Sequence, residues 1–293
     1  MNNLAIETDR LTKFYGHQRG IEDLSISINR GEVFGLLGPN GAGKTTTIRL
    51  LLCLIKPTNG TIKLLGKDVN YGTTEILEEI GYLPSDFVTY QDMTVGQILR
   101  YFNHLRSKPF ISLSELCEQF NLQLDRRVRE LSRGNRQKIG IVQAFMHDPD
   151  LIILDEPSTG LDPLLQKEFQ QLVKKRKAAG ATQFISSHLL SEVETLCDRI
   201  GIIKDGKLVT VETVSSLKTR SVQNIEITFF EDVEVDEFER INGVSNVIKE
   251  DKDIRLTVVG EMDTVIKVIS RHRVLKIRST EPSLEEIFLR YYK

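Results

Sequence analysis

The stretch GPNGAGKT, from Gly38 to Thr45, has the clearest chemical meaning in the sequence. It fits the phosphate-loop pattern of a glycine, any four residues, Gly-Lys and then Ser or Thr. Its glycines allow a tight turn in which successive backbone N–H groups point inward at a chain of phosphates. By this pattern Lys44 reaches the β- and γ-phosphates, where it also assists catalysis, and the Thr45 hydroxyl is a ligand of Mg2+. The predicted nucleotide contacts are Gly38, Pro39, Asn40, Gly41, Ala42, Gly43, Lys44, Thr45 and Thr46.

A second group of chemically useful residues follows the apolar run Leu151–Leu154. The run is continuous rather than alternating, as in a parallel strand that is covered on both faces. Asp155 at its end is placed to contact Mg2+ beside the phosphate loop, and Glu156 is then free to orient or deprotonate a water molecule. On the residues alone Glu156 could also be an exposed acid at a strand end, but the phosphate loop favours the catalytic role.

The elements around these residues indicate an α/β fold. A short apolar strand, Glu32–Leu37, precedes the phosphate loop, and Thr46–Leu52 has the character of a helix whose positive end faces the phosphates. The region before residue 36 reads as short strands joined by turns. Helices are predicted from about residue 85 to residue 147, including an apolar helix over Ile139–Met146.

A domain boundary is expected near residues 215–222, because the composition changes there. Residues 225–230, 253–259 and 274–277 read as strands, and Ser283 with Glu286 forms a capping box for a last helix. No cluster of His, Cys or paired carboxylates with the spacing of a site appears beyond the boundary. The sequence therefore predicts a large domain over residues 1–220 and a small α/β domain over 221–293 that does no chemistry.

The composition of the chain argues against several classes of function. The chain has 293 residues and a net charge of −2, so no global basic field exists to hold nucleic acid by its phosphates. Its three cysteines are far apart and form no disulfide or metal pattern, which suits a reducing cytoplasm. The N-terminus lacks a signal pattern, and the apolar run Leu50–Ile55 is too short to span a bilayer. We therefore expect a cytoplasmic protein with no nucleic-acid partner, for which another chain supplies any membrane-spanning helices.

Five motifs in order, GPNGAGKT, LSRGNRQK, LIILDEP, STGLD and SSH, resemble those of the ATP-binding cassette (ABC) ATPases over residues 1 to about 215. The resemblance implies a P-loop NTPase fold of ABC type, with a mixed or parallel sheet core, an antiparallel β subdomain and a helical subdomain at about 85–147. It also implies two cassettes paired head to tail, with each ATP and its Mg2+ between the phosphate loop of one subunit and the signature motif of the other.

The same resemblance assigns further site residues. Ser132 and Gly134 of the signature contact the partner's ATP, and Asp162 lies in the loop that links the two sites. His188 contacts the γ-phosphate and holds the catalytic geometry with Glu156. Tyr15 becomes the aromatic that stacks on adenine, although on the residues alone a half-buried strand position was the favoured interpretation of this side chain.

Two departures from the family pattern stand in the site. The signature reads LSRGN, with Arg133 and Asn135 at positions usually held by Gly and Gln, while Ser132 and Gly134 are kept. After Ile80–Pro84 the family usually has a Gln that contacts Mg2+, whereas this chain has Ser85. A serine is shorter, so Ser85 is expected to reach the metal only through a water molecule.

The tail EPSLEEIFLRYY, residues 281–292, resembles that of bacterial exporter ATPases of the drug- and bacitracin-resistance kind. There the cassette is a separate subunit that docks on a membrane permease, which implies a place at the inner face of the cell membrane. The alternatives are an importer ATPase, a soluble cassette acting on ribosomes or DNA, and a regulatory module that binds ATP without hydrolysing it. Intact Glu156 and His188 argue against the last of these.

Overall fold

The computed structural model describes residues 3–105, 112–219, 222–259 and 262–280. The chain divides into two compact units, residues 1–212 and 213–293. This division falls on the N-terminal side of residue 220, where the sequence predicts the domain boundary.

A six-stranded sheet forms the centre of the first unit, with the strand order β10-β9-β3-β8-β7-β6. Its strands are β3 (Val33–Leu37), β6 (Ile80–Leu83), β7 (Leu151–Asp155), β8 (Thr182–Ser187), β9 (Arg199–Lys204) and β10 (Lys207–Thr213). Every residue of β3 and β7 is buried, as their apolar runs predict, and every residue of β8 is buried as well although its sequence is partly polar. The pairs β3–β8, β3–β9, β7–β8 and β6–β7 are parallel, so the residues that follow these strands leave the sheet at one edge.

A second, antiparallel sheet has the order β2-β1-β4-β5. Its strands are β1 (Leu4–Tyr15), β2 (Gln18–Asn29), β4 (Asn59–Leu64) and β5 (Lys67–Val69). The prediction of several short strands before residue 36 is wrong, because β1 and β2 form one long hairpin. The register shifts within this hairpin, for example between Thr8 and Leu11, and these irregularities interrupt the alternation that marks a strand in the sequence.

Helices pack around the central sheet and make up the region between β6 and β7. They are α1 (Lys44–Leu51), α2 (Val95–His104), α3 (Leu113–Gln119), α4 (Arg133–Phe145), α5 (Pro163–Ala178) and α6 (Leu190–Leu196), with 3-10 turns at Glu75–Glu79 and Val128–Glu130. The helix predicted over Ile139–Met146 begins earlier, at Arg133. Its N-cap is Ser132, whose Oγ accepts a hydrogen bond from the Asn135 N–H at 3.3 Å.

The second unit is a small α/β unit with a four-stranded antiparallel sheet in the order β12-β13-β11-β14. Its elements are α7 (Val214–Thr219), β11 (Val222–Phe229), α8 (Asp236–Glu239), β12 (Val244–Glu250), β13 (Asp253–Val259), α9 (Asp263–Ile269) and β14 (Val274–Thr280). Phe229, Phe238 and Val265 are among the residues of its apolar core. The helix predicted from Ser283 and Glu286 lies outside the described residues. Across the described part of the chain, no helix is both long and apolar enough to cross a membrane.

Candidate active site

The phosphate loop leaves the central sheet at the end of β3 and leads directly into α1. Gly43, the N-cap residue of α1, has a φ of 109°, which favours glycine. A Cβ at Gly43 would lie 2.7 Å from the Gly20 carbonyl oxygen, and one at Gly38 would lie 2.4 Å from the Ile203 carbonyl oxygen. The two glycines therefore let the loop lie against neighbouring backbone.

The Lys44 side chain is buried and binds the loop from inside. Its Nζ donates to the Gly38 carbonyl at 2.7 Å and to the Pro39 carbonyl at 3.1 Å. Ala42 is also buried, and its carbonyl accepts a hydrogen bond from the Gly206 N–H at 3.0 Å. These bonds fix the shape of the loop from both sides.

Glu156 lies between the lysine and the histidine that the sequence assigns to catalysis. Lys44 Nζ is 3.2 Å from Glu156 Oε1, and His188 Nδ1 is 2.7 Å from Glu156 Oε2. The backbone of Glu156 turns sharply after β7 with a φ of 49°, and its N–H donates to the Ser186 carbonyl at 3.0 Å. The turn directs the carboxylate to a place where it bridges the two basic side chains.

Thr45 and Asp155, the two residues that the sequence predicts as Mg2+ ligands, form a hydrogen bond with each other next to Glu156. The Thr45 Oγ1 donates to Asp155 Oδ2 at 3.1 Å, and the Ser186 Oγ donates to Asp155 Oδ1 at 2.5 Å. Burial raises the pKa of Asp155, and the two hydroxyl donors act in the opposite direction. A carboxylate beside a hydroxyl is a hard oxygen donor set that fits Mg2+. No cluster of three or more His, Cys, Asp or Glu within the described ranges could hold a metal, so a Mg2+ here needs phosphate oxygens and water as further ligands.

Ser85 leaves the sheet at the same edge. Leu83 of β6 pairs with Leu154 of β7 in parallel register, so Ser85 follows β6 at the level where Glu156 follows β7, just after Asp155. Ser85 is half-buried. Among the described residues no hydrogen bond joins it to Thr45 or Asp155, and its contact with a metal stays a prediction.

A cavity of about 350 Å³ lies elsewhere, between the segment after β6 and α4, whereas the cavity at the phosphate loop measures about 260 Å³. The latter is lined by Tyr15, Gln18, Arg19, Gly20, Asn40, Gly41, Gly43, Lys44, Thr45, Thr46 and Glu156. Of the two, only the smaller cavity is lined by residues of the phosphate loop, and we call it the nucleotide cavity.

Tyr15 is one of the residues that line the nucleotide cavity. It is the last residue of β1 and is 45% exposed. Lys13 Nζ lies 5.2 Å from the ring centroid. A Cβ at Gly20 would lie 2.9 Å from Tyr15 Cε2, so the glycine makes room for the ring beside the hairpin. The exposed ring surface is available to an aromatic ligand.

The signature residues lie apart from this cluster. Ser132 is exposed at the start of α4, and a Cβ at Gly134 would lie 3.4 Å from the Gly160 carbonyl oxygen. Asp162 caps α5 and accepts hydrogen bonds from the Leu164 and Leu165 N–H groups at 3.0 and 2.9 Å. Within the part of the chain that the structure describes, no hydrogen bond or ion pair joins Ser132, Gly134 or Asp162 to the phosphate loop.

Several residues of the site had no role assigned from the sequence. Ser186 supports Asp155, and Gln18 with Arg19 lines the cavity beside Tyr15. The Ser186 role had a signal in the Ser-Ser-His motif. Gln18 and Arg19 carry no motif, and they reach the site only because β2 pairs Gln18 with Tyr15.

The site and fold define a P-loop ATPase of the cassette type, and comparisons with known proteins agree. A profile of the ABC transporter family matches residues 21–159. The chain is 37% identical to the bacitracin transport ATP-binding protein BcrA of Bacillus licheniformis, over 97% of this chain and 96% of that protein. It is 36% identical to "Probable multidrug ABC transporter ATP-binding protein YbhF" of Escherichia coli, over 75% of this chain and 39% of that protein.

A solved structure titled as the ATP-binding subunit of an ABC transporter is similar with a TM-score of 0.68 and 31% identity, over 73% of this chain and 92% of that one. The chain belongs to the ATP-binding proteins of ABC transporters. The predicted fold class is thereby confirmed, and membership supports nucleotide binding and ATP hydrolysis in general.

Proposed function

We propose that this chain is the ATPase subunit of a bacterial exporter and that it powers transport through a separate membrane permease. The observation that supports ATP hydrolysis is that Glu156 contacts both Lys44 and His188. These contacts lie at the phosphate loop, next to the hydrogen-bonded pair Thr45 and Asp155. BcrA is named for bacitracin transport and YbhF for multidrug transport, and both names favour export over import. The permease would place this chain at the inner face of the membrane.

In this proposal the phosphates of ATP bind the loop N–H groups and Lys44. Lys44 Nζ lies 3.2 Å from Glu156 Oε1, so a γ-phosphate and the carboxylate compete for the same ammonium group. A carboxylate released from the ammonium is a stronger base for the attacking water. His188 keeps the other carboxylate oxygen in place at 2.7 Å and orients Glu156 towards the water.

Thr45 and Asp155 would hold Mg2+ together with phosphate oxygens, and Ser85 would contribute through water at most. Bound Mg2+ neutralises charge that develops on the phosphates. Ser186 holds Asp155 in position for this role through its 2.5 Å hydrogen bond.

The second part of the site would come from another ATPase subunit, either an identical chain or a related one. Ser132 and Gly134 stand at the N-terminus of α4, where the positive end of the helix dipole favours an anion. They make no described contact with the phosphate loop of their own chain. A head-to-tail dimer would bring these groups to the γ-phosphate of the partner, and Asp162 would lie at the same interface.

Glu156→Gln tests the catalytic assignment. The amide keeps the size of the side chain but cannot accept the proton of the water, so hydrolysis should fall by about 100- to 10,000-fold. ATP binding should persist, and size-exclusion chromatography with ATP and Mg2+ should show a stable dimer. Glu118→Gln, an exposed acid on α3, is the control. Hydrolysis by Glu156→Gln at the control rate would refute the assignment.

The direction of transport needs its own measurement. Inside-out membrane vesicles that contain this chain and its co-purifying permease should accumulate bacitracin or a dye substrate when ATP is added. Glu156→Gln should abolish the accumulation. ATP-driven uptake in right-side-out vesicles with internal ATP would instead support import.

A further inference from the structure

A buried carboxylate, Glu192 on α6, lies beneath the two loops that carry Glu156 and His188. The side chain is only 7% exposed. The Ser187 Oγ donates to Glu192 Oε2 at 2.5 Å, and the Ser158 Oγ donates to Oε1. The Ser158 backbone also forms a hydrogen bond with this carboxylate.

The two serines connect Glu192 to both halves of the catalytic contact. Ser158 follows Glu156 by two residues, and Ser187 directly precedes His188. The Ser187 Oγ also accepts a hydrogen bond from the Leu189 N–H at 2.9 Å, which fixes the turn on the other side of His188. Glu192 therefore joins two loops that lie far apart in sequence and meet again where His188 Nδ1 contacts Glu156 Oε2 at 2.7 Å.

An acid at this place has an energetic cost. Val193 and Leu196 on the same helix are buried apolar residues, and burial raises the pKa of Glu192 because the charged form is poorly solvated there. Its hydrogen bonds offset part of that cost, and an apolar side chain would pack into the same space without it. Cross-linking the loops gives the acid a role that an apolar residue could not fill.

We infer that Glu192 is a positioning residue for ATP hydrolysis, which holds the loop of Glu156 and the loop of His188 in register through Ser158 and Ser187. The inference rests on the catalytic roles proposed above for Glu156 and His188. Glu192 is not among the described residues that line the nucleotide cavity. It acts on the orientation of the carboxylate that activates water, and not on the affinity for ATP.

The test compares hydrolysis and ATP binding in the full chain. Glu192→Ala removes both links, and a misplacement of catalytic groups by about 1 Å can cost on the order of 100-fold, so we expect kcat to fall by about 10- to 100-fold. The Kd for ATP should change by less than about twofold, since the phosphate loop is untouched. Glu192→Gln should retain most of the rate, because its amide can accept from one serine and donate to the other. Glu194→Gln removes a charge from the same helix and is the matched control.

Combining the Glu192 and His188 substitutions distinguishes a positioning role of Glu192 from a general loss of stability. If Glu192 acts through His188, then Glu192→Ala should add little to the loss that His188→Ala already causes, because the two changes affect one unit. Ser158→Ala cuts one link without removing the acid, and it should lower kcat at unchanged Kd even where Glu192→Ala fails to fold.

Three results would overturn the inference: wild-type kcat in Ser158→Ala and Glu192→Ala, a loss of ATP affinity equal to the loss of rate, or fully additive effects of Glu192→Ala and His188→Ala. Glu156→Gln and His188→Ala are measured alongside. If these two hydrolyse ATP normally, the proposed function itself fails. If they are inactive while the Glu192 variants are normal, only the positioning role fails.

Discussion

The phosphate-loop side of the site and the signature side are built in different ways. On the first side, Lys44 and Asp155 are buried and each is held by several hydrogen bonds or ion pairs within the chain. On the second side, Ser132 is exposed and its described hydrogen bond closes its own helix N-terminus. The fold therefore preorganises the phosphate-loop side internally, whereas the signature side offers little more than the positive end of a helix. Nucleotide binding should depend on the first side, and hydrolysis on both.

Among the changes that distinguish the two sides, Gly134→Asp should have the largest effect, which is a loss of hydrolysis. A Cβ there would lie 3.4 Å from the Gly160 carbonyl oxygen, so the folded chain has room for the first atom of a side chain. Its charge would repel a partner's γ-phosphate, and loss of such electrostatic stabilisation costs about 100- to 1,000-fold in rate. Steady-state hydrolysis should fall by that factor while the Kd for ATP stays unchanged.

Gly134→Ala is the control for Gly134→Asp, since it adds a methyl group without charge, and it should cost much less. If Gly134→Asp weakens ATP binding by the same chain as strongly as hydrolysis, then the signature is not a separate half of the site.

Tyr15→Ala addresses the phosphate-loop side, because the role predicted for this ring is in binding ATP and not in its hydrolysis. Stacking on a base is worth roughly 1–3 kcal/mol by truncation to alanine, so the Kd for ATP should rise by about ten- to a hundredfold. The rate at saturating ATP should hardly change. Titration with a fluorescent ATP analogue measures the Kd. Tyr15→Phe keeps the ring and should bind normally; equal losses in both variants would assign the effect to the hydroxyl group.

Ser85→Gln should have the smallest effect. The longer amide can reach the metal region from the edge that Ser85 shares with Asp155, and we expect it to raise the Mg2+ affinity or the basal rate by a few-fold, about 0.5–1 kcal/mol on the scale of one hydrogen bond. Hydrolysis measured over a Mg2+ titration gives both quantities. Ser85→Ala should change little, and a hundredfold loss in this variant would show that the serine hydroxyl binds the metal directly.

The sequence indicates the residues of the phosphate-loop side because their chemistry is local. The loop, its flanking strand and helix, and the carboxylates after β7 each follow from spacing and from runs of apolar residues within a few positions. Tyr15 was different, since the residues alone favoured a half-buried strand position and only the family resemblance indicated a stacking ring.

Long-range contacts were beyond this kind of reasoning. Ser158 and Glu192 are separated by 34 positions in the sequence, and neither residue stands out as unusual until β7, β8 and α6 bring them together. The long β1–β2 hairpin was missed for a related reason, because its register shifts are defined by the partner strand. Periodicity within one strand does not encode them.

The bonds that Lys44 makes to the Gly38 and Pro39 carbonyls bear on the entropy of binding. They lie within the loop itself, so the fold supplies part of the ordering of the loop. Ordering a flexible backbone would cost about 1–2 kcal/mol for each residue fixed. Here part of that ordering belongs to folding, so the contacts between the phosphates and the loop N–H groups contribute more of their free energy to affinity.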